Sequence, residues 1–276
     1  MSTRLTTTYA DDVCTLTLHP PEGKPPTLDP TVMDAFDRVL DEIETRSANL
    51  AAVVLQSASP KFFCAGANIN VLETINRDTI GPWVERGHAL MNRLEALPVP
   101  VVARVEGYAL GGGLELAMAC DLIFASCNGK FGQTETKLGF VTGWGGSYRL
   151  VRRVGLARAK ELAFSGRIFD ADEAVRLGVA EWSGTPEALA LHLREFLAAA
   201  AANSRIVFDS FFFQSRGGAV LHALVDGDVV YGPLWDGNLE VLDSATAVVL
   251  GNFYAIEADG LVVARMDATS PLPPTT

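Results

Sequence analysis

Apolar and polar positions alternate along the chain in two distinct rhythms. Cys14, Leu16 and Leu18 interleave with Val13, Thr15 and Thr17, which predicts a half-buried strand. Met33, Phe36, Val39, Leu40 and Ile43 recur at helical spacing after Asp29-Pro30, an N-cap followed by proline at the first helical position. That helix is predicted to run to about Arg46. Ala51 to Gln56 is a short apolar run and predicts a buried strand, and Val99 to Val105 predicts another. A second amphipathic helix is predicted over Thr79 to Ala96, with Trp83, Val84, Met91 and Leu94 on one face and Pro98 beyond its end.

Past Gly107 the pattern tightens. Gly107-Tyr-Ala-Leu-Gly-Gly-Gly113 leads into a short apolar helix, Leu114 to Cys120, and a strand, Asp121 to Ala125. Helices are predicted at Ser147–Arg153, Ala157–Phe164, Ala171–Leu177 and Pro186–Ala202. Repeated strand–strand–helix units predict an α/β fold with parallel pairing between successive turns. Beyond Asn203 the text changes: Phe208 to Phe213 is aromatic-rich, and Asp226 to Asn238 is rich in Gly and Asp. We therefore expect a core over residues 1–202 that carries the site, and a divergent region over 203–276 serving packing or oligomerisation.

Composition removes several classes. With 276 residues the chain can bury a full core. A net charge of −11 disfavours nucleic acid and anionic membrane surfaces as partners. The start, Met1 to Asp12, lacks the apolar core of a secretory signal, and no stretch approaches the roughly 18 apolar residues of a membrane span. Cys14, Cys64, Cys120 and Cys127 form no Cys-x-x-Cys pair and are expected to be buried free thiols. A cytoplasmic protein is expected. The four histidines are scattered without metal-ligand spacing, and no Gly-x-Ser-x-Gly elbow occurs. No metal and no separate cofactor is expected.

Four segments are candidates for chemistry. Glu115 is the only ionisable side chain between Tyr108 and Cys120. A carboxyl buried there would have a raised pKa, suited to proton transfer near neutral pH; a solvent-facing or amide-capping glutamate is the alternative. Gly111, Gly112 and Gly113 leave free N–H groups at a helix start, or simply allow close helix packing. The small residues of Phe62-Phe-Cys-Ala65-Gly66-Ala67-Asn68-Ile69 could open amides to a ligand, or be only a loop. Glu135, in Phe131-Gly-Gln-Thr-Glu135, lies 20 positions after Glu115 beside a second glycine-rich turn that holds Thr142, Gly143 and Trp144. Two carboxylates facing one substrate can relay protons.

In that order the segments resemble the crotonase (enoyl-CoA hydratase/isomerase) superfamily, over Val13 to Trp182, about two-thirds of the chain. Ser165-Gly-Arg-Ile-Phe-Asp-Ala-Asp-Glu-Ala-Val-Arg-Leu-Gly-Val179 adds to the likeness. The resemblance implies a spiral of β-β-α turns with a C-terminal, mainly helical region, assembled as a homotrimer or a dimer of trimers. It implies an oxyanion hole made by the amides of Ala65 and Gly112, where losing one donor typically costs about 2.7–4 kcal/mol. It implies catalytic Glu115 and Glu135, which hold one water, add hydroxide to C3 and deliver a proton to C2, with Glu135 as the donor to C2. Substrate would be met by Ala65, Gly66, Ala67, Asn68, Ile69, Gly111, Thr142, Gly143 and Trp144. Coenzyme A is then part of the substrate, an acyl-CoA thioester.

The sequence also departs from the family pattern. Asn68 stands where Asp is usual, Pro26-Thr27 where Asn-Ala is common, Thr142 where Pro is common, and Trp144 where a small residue is usual. Trp144 is expected to reshape the acyl pocket. Of the C-terminal region only Glu257 to Arg265 faintly resembles the usual ending, which leaves room for an acyl-carrier-protein thioester. The alternatives to a hydratase or dehydratase are a double-bond isomerase, a ring-modifying lyase, and a non-catalytic scaffold on the same fold.

Overall fold

The computed structural model describes residues 2–202 throughout and, beyond them, the backbone of 220–225, 228–233, 242–243, 253–258 and 261–266. The chain divides into two compact units, Met1–Ala202 and Asn203–Thr276. The first unit opens with β1 (Arg4–Ala10) and β2 (Val13–His19), then α1 (Pro30–Arg46). Next come β3 (Ala52–Ser57), β4 (Phe62–Cys64), α2 (Ile69–Leu72) and α3 (Ile80–Glu95). A further turn contains β5 (Val101–Val105), β6 (Tyr108–Leu110) and α4 (Gly112–Met118), followed by β7 (Leu122–Ser126) and β8 (Lys130–Gly132). The unit ends with α5 (Gly146–Val154), α6 (Leu156–Ser165), β9 (Phe169–Asp170), α7 (Ala171–Leu177), β10 (Trp182–Gly184) and α8 (Pro186–Ala202).

The turns β3–β4, β5–β6 and β7–β8 each place one strand in a large sheet and the next in a small one. The large sheet runs β1-β2-β3-β5-β7-β10, parallel after its antiparallel first pair. The small sheet runs β4-β6-β8-β9, parallel except for its last pair. This is the spiral of β-β-α turns that the sequence implied. The mostly apolar strands β3, β5 and β7 are buried on both faces. Val53, Leu55, Ala103, Val105, Ile123 and Ala125 enter the main core. Val54, Val102 and Phe124 point the other way, against Leu189 and Leu193 of α8.

Local chemistry sets the boundaries. Asp29 accepts a hydrogen bond from the Val32 N–H at 3.1 Å, so α1 starts where the Asp-Pro pair predicts. Asp170 caps α7 the same way through the Glu173 N–H. β1 is an element that periodicity missed: its Thr-rich face is only half buried, and it forms a hairpin with β2 through Asp11 and Asp12, both at positive φ. The three-residue strands of the small sheet are too short to carry a period.

In the second unit the described stretches are strands. β11 (Val220–Val225) pairs with β12 (Asp228–Pro233), while β13 (Leu242–Asp243) and β14 (Phe253–Ala258) flank β15 (Leu261–Met266). The mainly helical character expected over 203–276 is not what these described stretches show, and the aromatic run Phe208 to Phe213 lies outside the described residues.

Candidate active site

α4 is buried along its whole length, Gly112 to Met118, and Glu115 on it is 2% exposed. Helix backbone holds Glu115 from below, its N–H donating to the Gly111 carbonyl at 3.0 Å. The loop before α5 holds it from above. Its Oε1 accepts N–H bonds from Trp144 (2.8 Å) and Gly146 (2.7 Å). Burial pushes the Glu115 carboxyl up to about 7, and the nearby Glu135 pushes the same way. The two amides and the Arg149 guanidinium pull against that rise.

Glu135 starts a short 3₁₀ turn, Glu135–Leu138, that follows β8. Burial raises its pKa as well, opposed by its own backbone amide and by Gln133. Gln133 Nε2 donates to Glu135 Oε1 at 2.8 Å. Glu135 Oε2 and Gln133 Oε1 are buried with no hydrogen-bond partner in the protein. Gln133 also borders Glu115: a Cβ built on Gly146 would lie 2.9 Å from both Gln133 Nε2 and Glu115 Oε1. Two carboxyls so confined resist double ionisation, so the pair favours a state holding one proton.

Both carboxyls open on one cavity of about 220 Å³. Its floor is backbone. Gly111 has φ +52° and packs against the Glu135 carboxyl, where a Cβ would be 3.3 Å from Cδ. Gly112 is the first residue of α4, so its N–H has no acceptor within the helix. Gly66, at φ +90°, brings its backbone close to α4; a Cβ there would be 2.9 Å from the Gly112 nitrogen. Only glycine allows that approach.

One expected donor is corrected. Ala65 lines the cavity, but its N–H donates to the Pro26 carbonyl at 2.9 Å and is not available to a substrate oxygen. The Ala67 amide lies on the cavity side instead. Leu28 pairs with the flanking groups, donating to the Gly66 carbonyl and accepting from the Asn68 N–H, both at 2.8 Å. The Ala67 N–H therefore faces away from Leu28, and a Cβ built on Gly112 would lie 3.4 Å from it.

Gly66, Ile69, Gly111, Gly143 and Trp144 also line the cavity. Asn68 and Thr142 do not; Asn68 caps α2, accepting from the Asn70 N–H at 3.0 Å. Sequence reasoning assigned no role to Gln133 or Arg149. Arg149 is 3% exposed and ties the loop down: it donates to the Trp144 carbonyl (2.9 Å), Asn92 Oδ1 (2.9 Å) and Glu95 Oε2 (2.7 Å). Nothing in a basic residue on a predicted helix marks it for burial.

Comparison with known proteins fits this geometry. The family model described as Enoyl-CoA hydratase/isomerase matches residues 8–212. The chain is 37% identical over 189 residues to "Probable enoyl-CoA hydratase" of Bacillus subtilis, covering 68% of this chain and 71% of that protein. It is 38% identical over 152 residues to "Methylglutaconyl-CoA hydratase, mitochondrial" of Rattus norvegicus, covering 55% of this chain and only 48% of that protein's length. The crystal structure of an enoyl-CoA hydratase from Bacillus anthracis superposes with a TM-score of 0.73 at 33% identity, over 77% of this chain and 83% of that one.

Proposed function

The chain belongs to the enoyl-CoA hydratase/isomerase family, and we propose that it adds water to 2-enoyl thioesters of coenzyme A, or removes it from their 3-hydroxy counterparts. One observation carries this reading: a buried and a half-buried carboxyl, both with raised pKa, open on a cavity whose floor presents the N–H groups of Ala67 and Gly112. The thioester oxygen sits against those two donors. As negative charge develops on it, the fixed N–H groups stabilise the enolate without reorganising.

Glu115, ionised, takes a proton from one water molecule while the hydroxide oxygen bonds to C3. Glu135, protonated, gives its proton to C2. The pair thus ends with its one proton moved from Glu135 to Glu115, and exchange with solvent resets it. Burial raises the pKa of both carboxyls, which suits the pair to exchange protons with water and substrate near neutral pH. Presence of both acids favours hydration over isomerisation or ring chemistry.

Among the described residues no helix is long and apolar enough to cross a membrane. We place the enzyme in the cytoplasm, as a homotrimer or a dimer of trimers. The exposed apolar side chains of Leu156, Phe164 and Ile168 suit burial between subunits. Sedimentation equilibrium tests this; a monomer at micromolar concentration would contradict it. The thioester could equally be presented by an acyl carrier protein. Assay of matched CoA and carrier-protein enoyl thioesters, read as water gained or lost by mass spectrometry, tests reaction and carrier together. Migration of the double bond with no water added would overturn the hydratase reading.

A further inference from the structure

Trp144 joins two parts of the site. Its N–H holds Glu115, and its indole fills the space between α4 and α3. A Cβ built on Gly112 would lie 2.6 Å from Cζ3 of the ring. A Cβ built on Gly87 would collide with the ring's Cδ1 and Nε1 edge. Trp83 braces the indole edge-on, with centroids 5.1 Å apart and planes at 61°.

Gly87 lies in the interior of α3, buried, with no positive φ. The backbone there does not require glycine, and glycine in a helix interior costs about 0.8–1.0 kcal/mol relative to alanine. What requires it is the indole. The rest of the wall, including Val84, Phe140 and Val141, is apolar apart from Thr134. Among the described residues lining the cavity, only Glu115 and Glu135 are ionisable. An acyl chain ending in a carboxylate would meet two acids and no base.

We propose that Trp144, seated on Gly87 and braced by Trp83, is the stop at the far end of the acyl site and restricts the enzyme to short, uncharged acyl groups. The proposal rests on reading the cavity as an enoyl thioester site. A longer chain has to displace the indole, and the indole cannot retreat without losing its place against Gly87 and Trp83.

The test uses the full chain and a panel of crotonyl, hexenoyl, octenoyl and decenoyl thioesters of coenzyme A. Two quantities are read: kcat/KM for hydration, and Kd for the saturated acyl-CoA of each length by calorimetry. Wild type prefers the shortest members. Trp144→Ala raises the decenoyl-to-crotonyl ratio of kcat/KM by about tenfold or more, and Trp144→Phe moves it in the same direction by less. Thermal unfolding gives a second readout that needs no turnover. Gly87→Ala lowers Tm when Trp144 is present and raises it in the Trp144→Ala background, where the methyl has room and helix propensity dominates.

Length ratios unchanged by Trp144→Ala in both kcat/KM and Kd would overturn the stop, as would a Gly87→Ala effect on Tm that is the same in both backgrounds. A glutaryl thioester bound as tightly as its pentanoyl analogue would overturn the exclusion of charge. Should wild type turn over no enoyl thioester while Kd still follows chain length and responds to Trp144→Ala, the hydratase reading would fall and the stop would stand.

Discussion

At the residue scale Glu115 is the group on which the proposed chemistry depends. Folding raises its pKa from 4.5 to about 7, so the folded chain binds this proton more tightly than the unfolded chain does. The resulting stabilisation is fully present below pH 4.5 and is lost as pH rises through 7. Glu115→Gln keeps an oxygen for the Trp144 and Gly146 amides but carries no charge. The variant should therefore gain stability relative to wild type between pH 4.5 and 7, by at most about 3 kcal/mol; urea unfolding across that range measures it. Activity should move the other way. Glu115→Gln and Glu135→Gln each remove a proton carrier and should lower kcat by about 10²–10⁴-fold. The pH profile of kcat/KM should be a bell displaced above the ordinary carboxyl range. In Glu135→Gln the second largest push on Glu115 is gone, and its pKa, read by carbon-13 NMR, should fall below 7.

At the element scale, α4 and the loop before α5 act as one unit, because Arg149 fixes the carbonyl of the residue whose N–H fixes Glu115. The Arg149 side chain is 2% exposed but its partner Glu95 remains 33% exposed. Arg149→Met should thus cost about 3 kcal/mol, the low end for a broken buried pair. It should lower kcat by tenfold or more as the loop drifts, and raise the Glu115 pKa further, since a lowering charge is lost. Arg149→Lys should not restore kcat, because one ammonium cannot reach the Trp144, Asn92 and Glu95 oxygens together. Much of this scale was legible in the sequence. The Asp29-Pro30 start of α1, the apolar runs of β3 and β5, and the glycines before Glu115 all predict what is observed. The donor at Ala67 was not legible. Which amide faces the cavity depends on the turn at Gly66, with φ +90°, and on Leu28, 39 positions away in the chain, taking the groups on either side. Gly87 left a fainter signal: a glycine inside an amphipathic helix asks for a packing reason, and Trp144 supplies it.

At the scale of the whole molecule, the two faces of the large sheet have separate tasks. One face and the small sheet carry the core around α4 and the site; the other is covered by α8. Phe124 belongs to the second face, edge-on to Phe196 at 5.5 Å and to His192 at 4.7 Å. Phe124→Ala should cost about 3–5 kcal/mol of stability and leave kcat within about twofold, as checked by denaturant midpoint and steady-state assay. The central claim concerns the reaction itself, and isotope incorporation tests it most directly. Crotonyl-CoA incubated with the enzyme in ¹⁸O-labelled water should yield 3-hydroxybutyryl-CoA carrying the label at C3, with the rate collapsing in both Glu115→Gln and Glu135→Gln. Unlabelled, isomerised or unchanged thioester from a folded wild-type enzyme, or full labelling by either variant, would contradict it.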